Sequence, residues 1–308
     1  MSRFGRVAVL FGGNSAERDV SLRSGQAVLS ALQHSGVDAY AVDPKHQSLA
    51  ELAASKPDRV FIVLHGRGGE DGSMQGALEQ LNLPYTGSKV LGSALAMDKS
   101  RCKGLFRALG IPTADFQVLQ QVEQATHELL QSLGGKVMVK PANEGSSIGM
   151  SVAADEATLK TAVAAALVFD RDVLVERWID GRELTVSVLG EQVLPIIEMR
   201  TPRDFYDYEA KYQVDTTEYL CPAPLNEALT QQVQQIAWQA FTAVAASGWG
   251  RVDFMLDAHN QPYVLEVNTV PGMTEKSLVP MAAKAAGYTF NELVLAVLDQ
   301  TIAEKEQA

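Results

Sequence analysis

Four side chains late in the chain have the types and spacing to hold a charged group. In "QPYVLEVNTVPGM", residues 261–273, the apolar and β-branched positions Tyr263, Val264, Leu265 and Val267 mark a buried strand, yet Glu266 and Asn268 interrupt it two residues apart. Positions i and i+2 of a strand share a face, with Cα atoms roughly 6.6 Å apart at ~3.3 Å rise per residue. Upstream, "GRVDFMLD" carries Arg251 and Asp253 with the same alternation, and the intervening turn "AHNQ" predicts an antiparallel hairpin. If both sets occupy one face, Asp253, Glu266, Asn268 and Arg251 meet there. Carboxylates buried without partners are costly, so something must neutralise them. Hard oxygen donors suit Mg²⁺ or Mn²⁺. Two such ions ~3.5–4 Å apart need a bridging carboxylate, and central Glu266 is the candidate. Asp253 then completes one ion's protein shell and Asn268 the other's. Two divalent cations against two carboxylates leave a positive surplus suited to a polyphosphate. The alternative is that Asp253 pairs with Arg251 and Glu266 caps a turn.

Two further stretches could serve an anionic ligand. "VMVKPANEGSSIGM" ends an apolar strand on Lys140 and continues into a Gly- and Ser-rich loop, the chemistry of a phosphate cradle. A solvated strand-end lysine and a plain hairpin turn are the plainer readings. Neither a P-loop nor G-x-G-x-x-G occurs, since "GRGGEDG" has Asp71 where a third glycine should stand. "VLVERWIDGRELTV" puts Glu176, Arg177, Trp178 and Ile179 at a strand end, with Glu183 opening the next segment. Such a strand end could hold an adenine by its backbone edge and apolar walls, although core packing also accounts for Trp178 and Ile179.

The elements that must position these groups fall into three runs. Residues 1–96 alternate strand and helix ("RVAVLFGG", a helix over 16–34, "DAYAVD", "RVFIVLHG"), which predicts an open parallel α/β sheet with ligands at the carboxyl ends of its strands. Residues 97–181 carry a helix over 99–109, "GKVMVKP", a helix over 155–169 and "DVLVERWI". Residues 182–308 carry "LTVSVLG" and "EQVLPII", a helix over 225–247, the hairpin and closing helices. At 308 residues with 46% hydrophobic content, the chain is long enough for such a multidomain fold of α/β and α+β parts. The formal charge of -11 argues against a nucleic-acid surface and makes local lysines more telling. Two isolated cysteines, Cys102 and Cys221, fit a reducing compartment without disulfides or a zinc site. The longest apolar run, Ala162–Phe169, is too short to span a bilayer, so a cytoplasmic location is expected.

The blocks "VAVLFGGNSAERDVSLRSG", "LHGRGGEDGSMQG", "AMDK", "VKPANEGSSIGMS", "FYDYEAKY", "GWGRVDFMLD" and "EVNTVPGMT" occur in one order along nearly the whole chain. In these the sequence resembles the D-alanine–D-alanine ligases, ATP-grasp enzymes of peptidoglycan precursor synthesis. The resemblance implies an ATP-grasp fold behind a Rossmann-like N-terminal domain, ATP as co-substrate, D-alanine as substrate and a homodimer. It places Asp253, Glu266 and Asn268 on two Mg²⁺ or Mn²⁺ ions. It places Lys99, Lys140 and Lys211 on the ATP phosphates, beneath a loop around Ser146 and Ser147. Glu176, Arg177, Trp178, Ile179 and Glu183 form the adenosine site. Glu17 receives the ammonium of the first D-alanine, or serves as a capping partner of Asn14, and His65 lies near that amino acid's carboxylate. Ser146 and Tyr212 join Glu17 in a hydrogen-bonded set. Ser277 and Leu278 bind the second D-alanine's carboxylate, and Arg251 with the Gly272 N–H meets the oxyanion. The implied reaction passes through a D-alanyl phosphate. One departure is Glu275-Lys276 beside Ser277, where many relatives carry small or polar residues; the pair either alters the second subsite or forms a salt bridge in solvent, and the salt bridge is the expectation. The rival readings are a dinucleotide oxidoreductase, a silent nucleotide-binding module and a depsipeptide ligase. Tyr212 favours the dipeptide over the last.

Overall fold

Strand β1 (Arg6–Leu10) is buried at every position after its first, as a central parallel strand must be. It pairs in parallel with β2 (Asp38–Val42) and β3 (Arg59–Ile62). Helices α1 (Arg18–His34) and α2 (Leu49–Ala54) make the crossovers. The α1 helix turns Val20, Ser24, Val28 and Leu32 inward at helical spacing. Gly25 lets it close on Phe11, whose ring would overlap any Cβ there. The parallel α/β sheet predicted from element order is present. This computed structural model describes residues 3–145, 148–201 and 217–303.

After α3 (Ser73–Gln80) the chain runs through α4 (Val90–Met97) and α5 (Lys99–Ala108), the second capped by the Asp98 carboxylate, which accepts the Arg101 N–H. A second sheet follows, built from β4 (Phe116–Leu119), β5 (Val137–Pro141), β6 (Ser151–Ala153) and β7 (Val173–Arg177), with α6 (His127–Ser132) and α7 (Glu156–Ala166) between strands. Its order is β4-β7-β5-β6, antiparallel throughout. The third sheet has β8 (Gly181–Leu189), β9 (Gln192–Val193), β10 (Ile197–Arg200), β11 (Glu218–Leu220), β12 (Trp249–Asp257) and β13 (Pro262–Asn268). Its path is β11-β10-β8-β12-β13, with β9 beside β8. Helix α8 (Glu227–Ala243) packs on it, and α9 (Leu278–Ala285) and α10 (Phe290–Ala303) close the described chain.

"EQVLPII" is not one strand. It splits into β9 and β10 around Pro195, which has no N–H to give a ladder. Three apolar cores hold the sheets. Leu293, Val294, Val297 and Leu298 of α10 return to the first sheet's core. Cys102 and Phe106 of α5 enter the third sheet's core with Val252 and Val264. The second sheet keeps its own core with Leu159 and Val163 of α7. Among the described residues, no helix is long and apolar enough to cross a membrane.

Candidate active site

The hairpin that carries the four charged and polar residues forms as the turn requires. Asp257 Oδ1 accepts the N–H of His259 and of Gln261 at 2.8 Å each, and Asn260 takes φ 60°. Asp253 stands opposite Glu266 and Arg251 opposite Asn268, so all four share one face. A bulge lies just beyond these four. Phe254 pairs with Val264 while Asp253 pairs with Glu266, so Leu265 is the extra residue. Without it Val264, Glu266 and Asn268 would point the same way. With it Val264 is buried in the core while Glu266 and Asn268 line cavities on the opposite side.

Asp253 is gripped on both oxygens. Arg251 donates to Oδ1 from Nε at 2.8 Å and to Oδ2 from Nη2 at 2.7 Å. The Thr185 hydroxyl adds 2.6 Å to Oδ1, and the Asn268 amide 3.0 Å to Oδ2. The Asp253–Arg251 pairing named above as the alternative is therefore present. Glu266 faces Lys99 Nζ at 3.3 Å. Burial would lower the Lys99 pKa, but the carboxylates of Glu266, Glu17 and Glu70 together outweigh it and hold the ammonium above its ordinary value. Among the described residues no three His, Cys, Asp or Glu side chains gather around a metal-sized point. A hard cation here would draw on the oxygens of Glu266 and Asn268, and on Asp253 only after one of its four donors gives way, completing its shell with substrate oxygens or water.

A cavity of about 440 Å³ lies on the Asp253 side of Glu266, between the second and third sheets. Lys140, read as a strand-end lysine, is not solvated: it is 5% exposed and paired with Glu176 Oε1. On the other oxygen, Lys103 Nζ approaches Glu176 Oε2 at 2.8 Å. Burial pushes the Glu176 pKa up, but the two ammonium groups prevail and hold it at about 2. An acid whose folded pKa is depressed contributes stability that is full above its unfolded value and lost as pH falls through the folded one. Stability therefore declines from about pH 4.5 toward pH 2 through this group, by on the order of 3 kcal/mol, and Glu176→Gln flattens that part of a urea-denaturation profile against pH. Along β7 the Arg177 N–H is spent on the Asp115 carbonyl at 2.8 Å, and the Trp178 N–H on Lys136 at 3.0 Å. Trp178, Ile179 and Glu183 line the same cavity.

A second cavity, about 320 Å³, opens on the Asn268 side and brings together Glu17, His65, Arg251, Gly272, Ser277 and Leu278. Glu266 lines both. Glu17 occupies the N-cap of α1 without a side-chain capping bond, so the capping alternative is not realised. Its carboxylate lies against the backbone of Gly66 and Gly145, where a Cβ would collide with it. His65 Nδ1 bonds the Val270 carbonyl at 2.7 Å, so that nitrogen carries the proton and the buried Nε2 is the acceptor. Burial holds its pKa below the ordinary value, against the pull of Glu17. Ser277 Oγ receives the Thr274 N–H at 3.0 Å at the start of α9. Ser146, Ser147, Lys211 and Tyr212 lie outside the described residues.

Two family models match the chain in succession, D-ala D-ala ligase N-terminus over residues 41–88 and D-ala D-ala ligase C-terminus over residues 105–299. The D-alanine–D-alanine ligase of Pseudoalteromonas translucida is 60% identical over 301 residues, 98% of each chain. The chain belongs to the D-alanine–D-alanine ligase family. The relative from Idiomarina loihiensis is 56% identical, with 97% of this chain and 98% of that one covered. Among solved structures, the Bacillus anthracis D-alanine–D-alanine ligase complexed with ATP superimposes with a TM-score of 0.86 at 31% identity, covering 99% of this chain and all of that one. The VanG D-Ala:D-Ser ligase of Enterococcus faecalis gives 0.83 at 27%, covering 97% of this chain and 100% of that one. The fold is therefore the ATP-grasp fold of these ligases.

Three residues of this family member were not found by reading the sequence. Thr185 carries no motif. Glu70 stands inside "GRGGEDG", where the glycines drew the attention; its carboxylate accepts the Gly66 N–H at 2.6 Å and the Val270 N–H at 3.3 Å. Burial, with the Glu17 charge, pushes its pKa up to about 8. Lys103 did leave a signal: it falls four residues after Lys99 and next to buried Cys102, on a helix face that should be apolar. The pair Glu275-Lys276 shows no mutual ion pair among the described residues, and Lys276 lines the second cavity.

Proposed function

We propose that the two cavities are the nucleotide end and the amino-acid end of one active site, and that the chain joins two D-alanines with conversion of ATP to ADP and phosphate. The observation that carries this is Glu266, which lines both cavities from a hairpin face it shares with Arg251, Asp253 and Asn268. The carboxylate of the first D-alanine attacks the γ-phosphorus, giving D-alanyl phosphate and ADP. The amine of the second then attacks the acyl carbon and phosphate leaves. Phosphoryl transfer of this kind asks for fixed positive charge more than for covalent help. Lys99 and Lys140 supply it from the first cavity's wall, and Arg251 from the second's. Asp253, Glu266 and Asn268 would hold Mg²⁺ or Mn²⁺, two ions on this reading, which when bound neutralise phosphate oxygens.

Adenine would sit at the Trp178–Ile179 edge with Glu176 accepting from its amino group, and Glu183 would take the ribose hydroxyls. Glu17 would receive the first ammonium and His65 would stand by that carboxylate. The second carboxylate would lie at the N-terminus of α9, where the helix dipole and Ser277 favour an anion. Chain regions 1–96, 97–181 and 182–308 would then contribute the first amino-acid subsite, the nucleotide loop, and the metal site with the second subsite. A cytoplasmic homodimer belongs to the same reading.

Ser277→Ala should raise the KM for the second D-alanine at least about tenfold and leave the first within twofold, because a hydrogen bond to a charged group is worth about 1.5–3 kcal/mol. Initial rates across a wide range of D-alanine separate the two subsites, and equal loss at both would remove Ser277 from the second. The function itself is tested by ADP release with D-alanine or L-alanine as sole amino acid, with and without Mg²⁺. Release that ignores the amino acid's hand would overturn it.

A further inference from the structure

Lys103 has no part in the reaction as described, and its position is unusual. The side chain is completely buried and does not line either cavity. A buried ammonium is costly unless its bonds are well made, and mutual attraction repays that cost only with good geometry. Here the geometry is specific. Lys103 Nζ stands 2.8 Å from Glu176 Oε2 and bonds the Thr113 hydroxyl. Thr113 gives its single hydroxyl proton to the Val264 carbonyl at 2.8 Å, so it can only accept from Lys103. The ammonium also lies 5.6 Å from the centre of the Phe116 ring, and Phe116 is the register partner of Glu176 across β4 and β7. The Thr113 hydroxyl and the Phe116 ring thus hold one ammonium against Glu176 Oε2, which it meets as an ion pair and which accepts no hydrogen bond among the described residues.

The other oxygen is held by Lys140, which lines the nucleotide cavity. Lys140 cannot serve the phosphates of a bound nucleotide and remain the sole counter-ion of Glu176. Lys103 can stay, because nothing in the cavity competes for it. We infer that Lys103 is a positioning residue that keeps Glu176 a fixed carboxylate acceptor when Lys140 turns to the nucleotide, and that it thereby sets selectivity for a 6-amino over a 6-oxo purine triphosphate. A carboxylate can only accept, so it welcomes an exocyclic amino group and opposes a carbonyl oxygen. The inference rests on Glu176 being the adenine acceptor.

The test compares kcat/KM for ATP and for inosine 5′-triphosphate, with D-alanine saturating, in the full-length protein. Lys103→Met should lower the ATP:ITP preference about tenfold or more, the scale of one charged hydrogen bond, through a raised KM for ATP with the KM for D-alanine unmoved. Thr113→Val keeps the charge but removes its tether; it should lower the preference about threefold, and it decides the matter if Lys103→Met does not fold. Should the folded variants keep the parent preference while Glu176→Gln loses it, Lys103 is only structural and the inference is overturned. Should Glu176→Gln also keep the parent preference, the reading of Glu176 as the adenine acceptor falls instead.

Discussion

Glu266→Gln should lower ATP-dependent phosphate release on the order of 10³-fold, a loss at the upper end of what a single preorganised electrostatic contact supplies. The substitution keeps the volume and one oxygen and removes only the charge. The fold should tolerate it. Glu266 keeps 24% of its side chain exposed, and its partner Lys99 retains the Glu144 carbonyl at 2.7 Å. The melting temperature should therefore stay within a few degrees of the parent, about what a change near 1 kcal/mol produces in a chain of this size. A second readout separates charge loss from general damage. Manganese binding in the presence of ADP, followed by electron paramagnetic resonance, should weaken at least about tenfold, because a carboxylate is exchanged for a neutral amide. Phosphate release near the parent rate would remove Glu266 from the centre of the site.

What could be read in the sequence depended on how local the cause was. The hairpin was legible because "AHNQ" and Asp257 make its turn within a few residues, and the alternation of Arg251 and Asp253 is strict. The bulge at Leu265 was not. It reverses the facing of β13 halfway along, and only pairing with β12 shows where. Alternation counted straight through "YVLEVN" would have put Val264 on the face of Glu266. "EQVLPII" failed for a simpler reason, since Pro195 ends the ladder within an apolar run. Lys140 and Glu176 were each legible as candidates, but their ion pair joins β5 and β7, residues 36 positions apart, and local pattern carries no trace of it. The helix α5 shows the same limit: its apolar face was visible, but not that Cys102 and Phe106 would enter the core of the third sheet rather than the second. The metal set was expected from the hairpin itself, and the amino-acid subsites from the family resemblance, whose several blocks in one order carry more than any single motif.

Arg251→Met should lower kcat on the order of 10²–10³-fold, about 3–4 kcal/mol of transition-state stabilisation, with a smaller change in the KM for D-alanine. The guanidinium has two duties. Its fork grips both oxygens of Asp253, at 2.8 and 2.7 Å, and its side chain forms part of the second cavity's wall with Gly272 and Ser277. Met covers much the same apolar stem, so the packing term is nearly conserved and the loss reports the charge. Asp253 would keep Thr185 and Asn268, which should hold its carboxylate in place and the protein folded. Arg251→Lys separates the duties. An ammonium restores the charge in the cavity but cannot reproduce two parallel N–H bonds. If the fork's hold on Asp253 matters most, lysine recovers less than about tenfold of the lost kcat; if charge facing the reacting acyl group matters most, it recovers the greater part. Rapid-quench measurement of ADP formation in a single turnover then assigns the loss to a step. A slowed burst places Arg251 in the phosphoryl transfer. A normal burst followed by slow dipeptide formation places it at the attack of the second amine, where a tetrahedral oxyanion between Arg251 and the Gly272 N–H would need it.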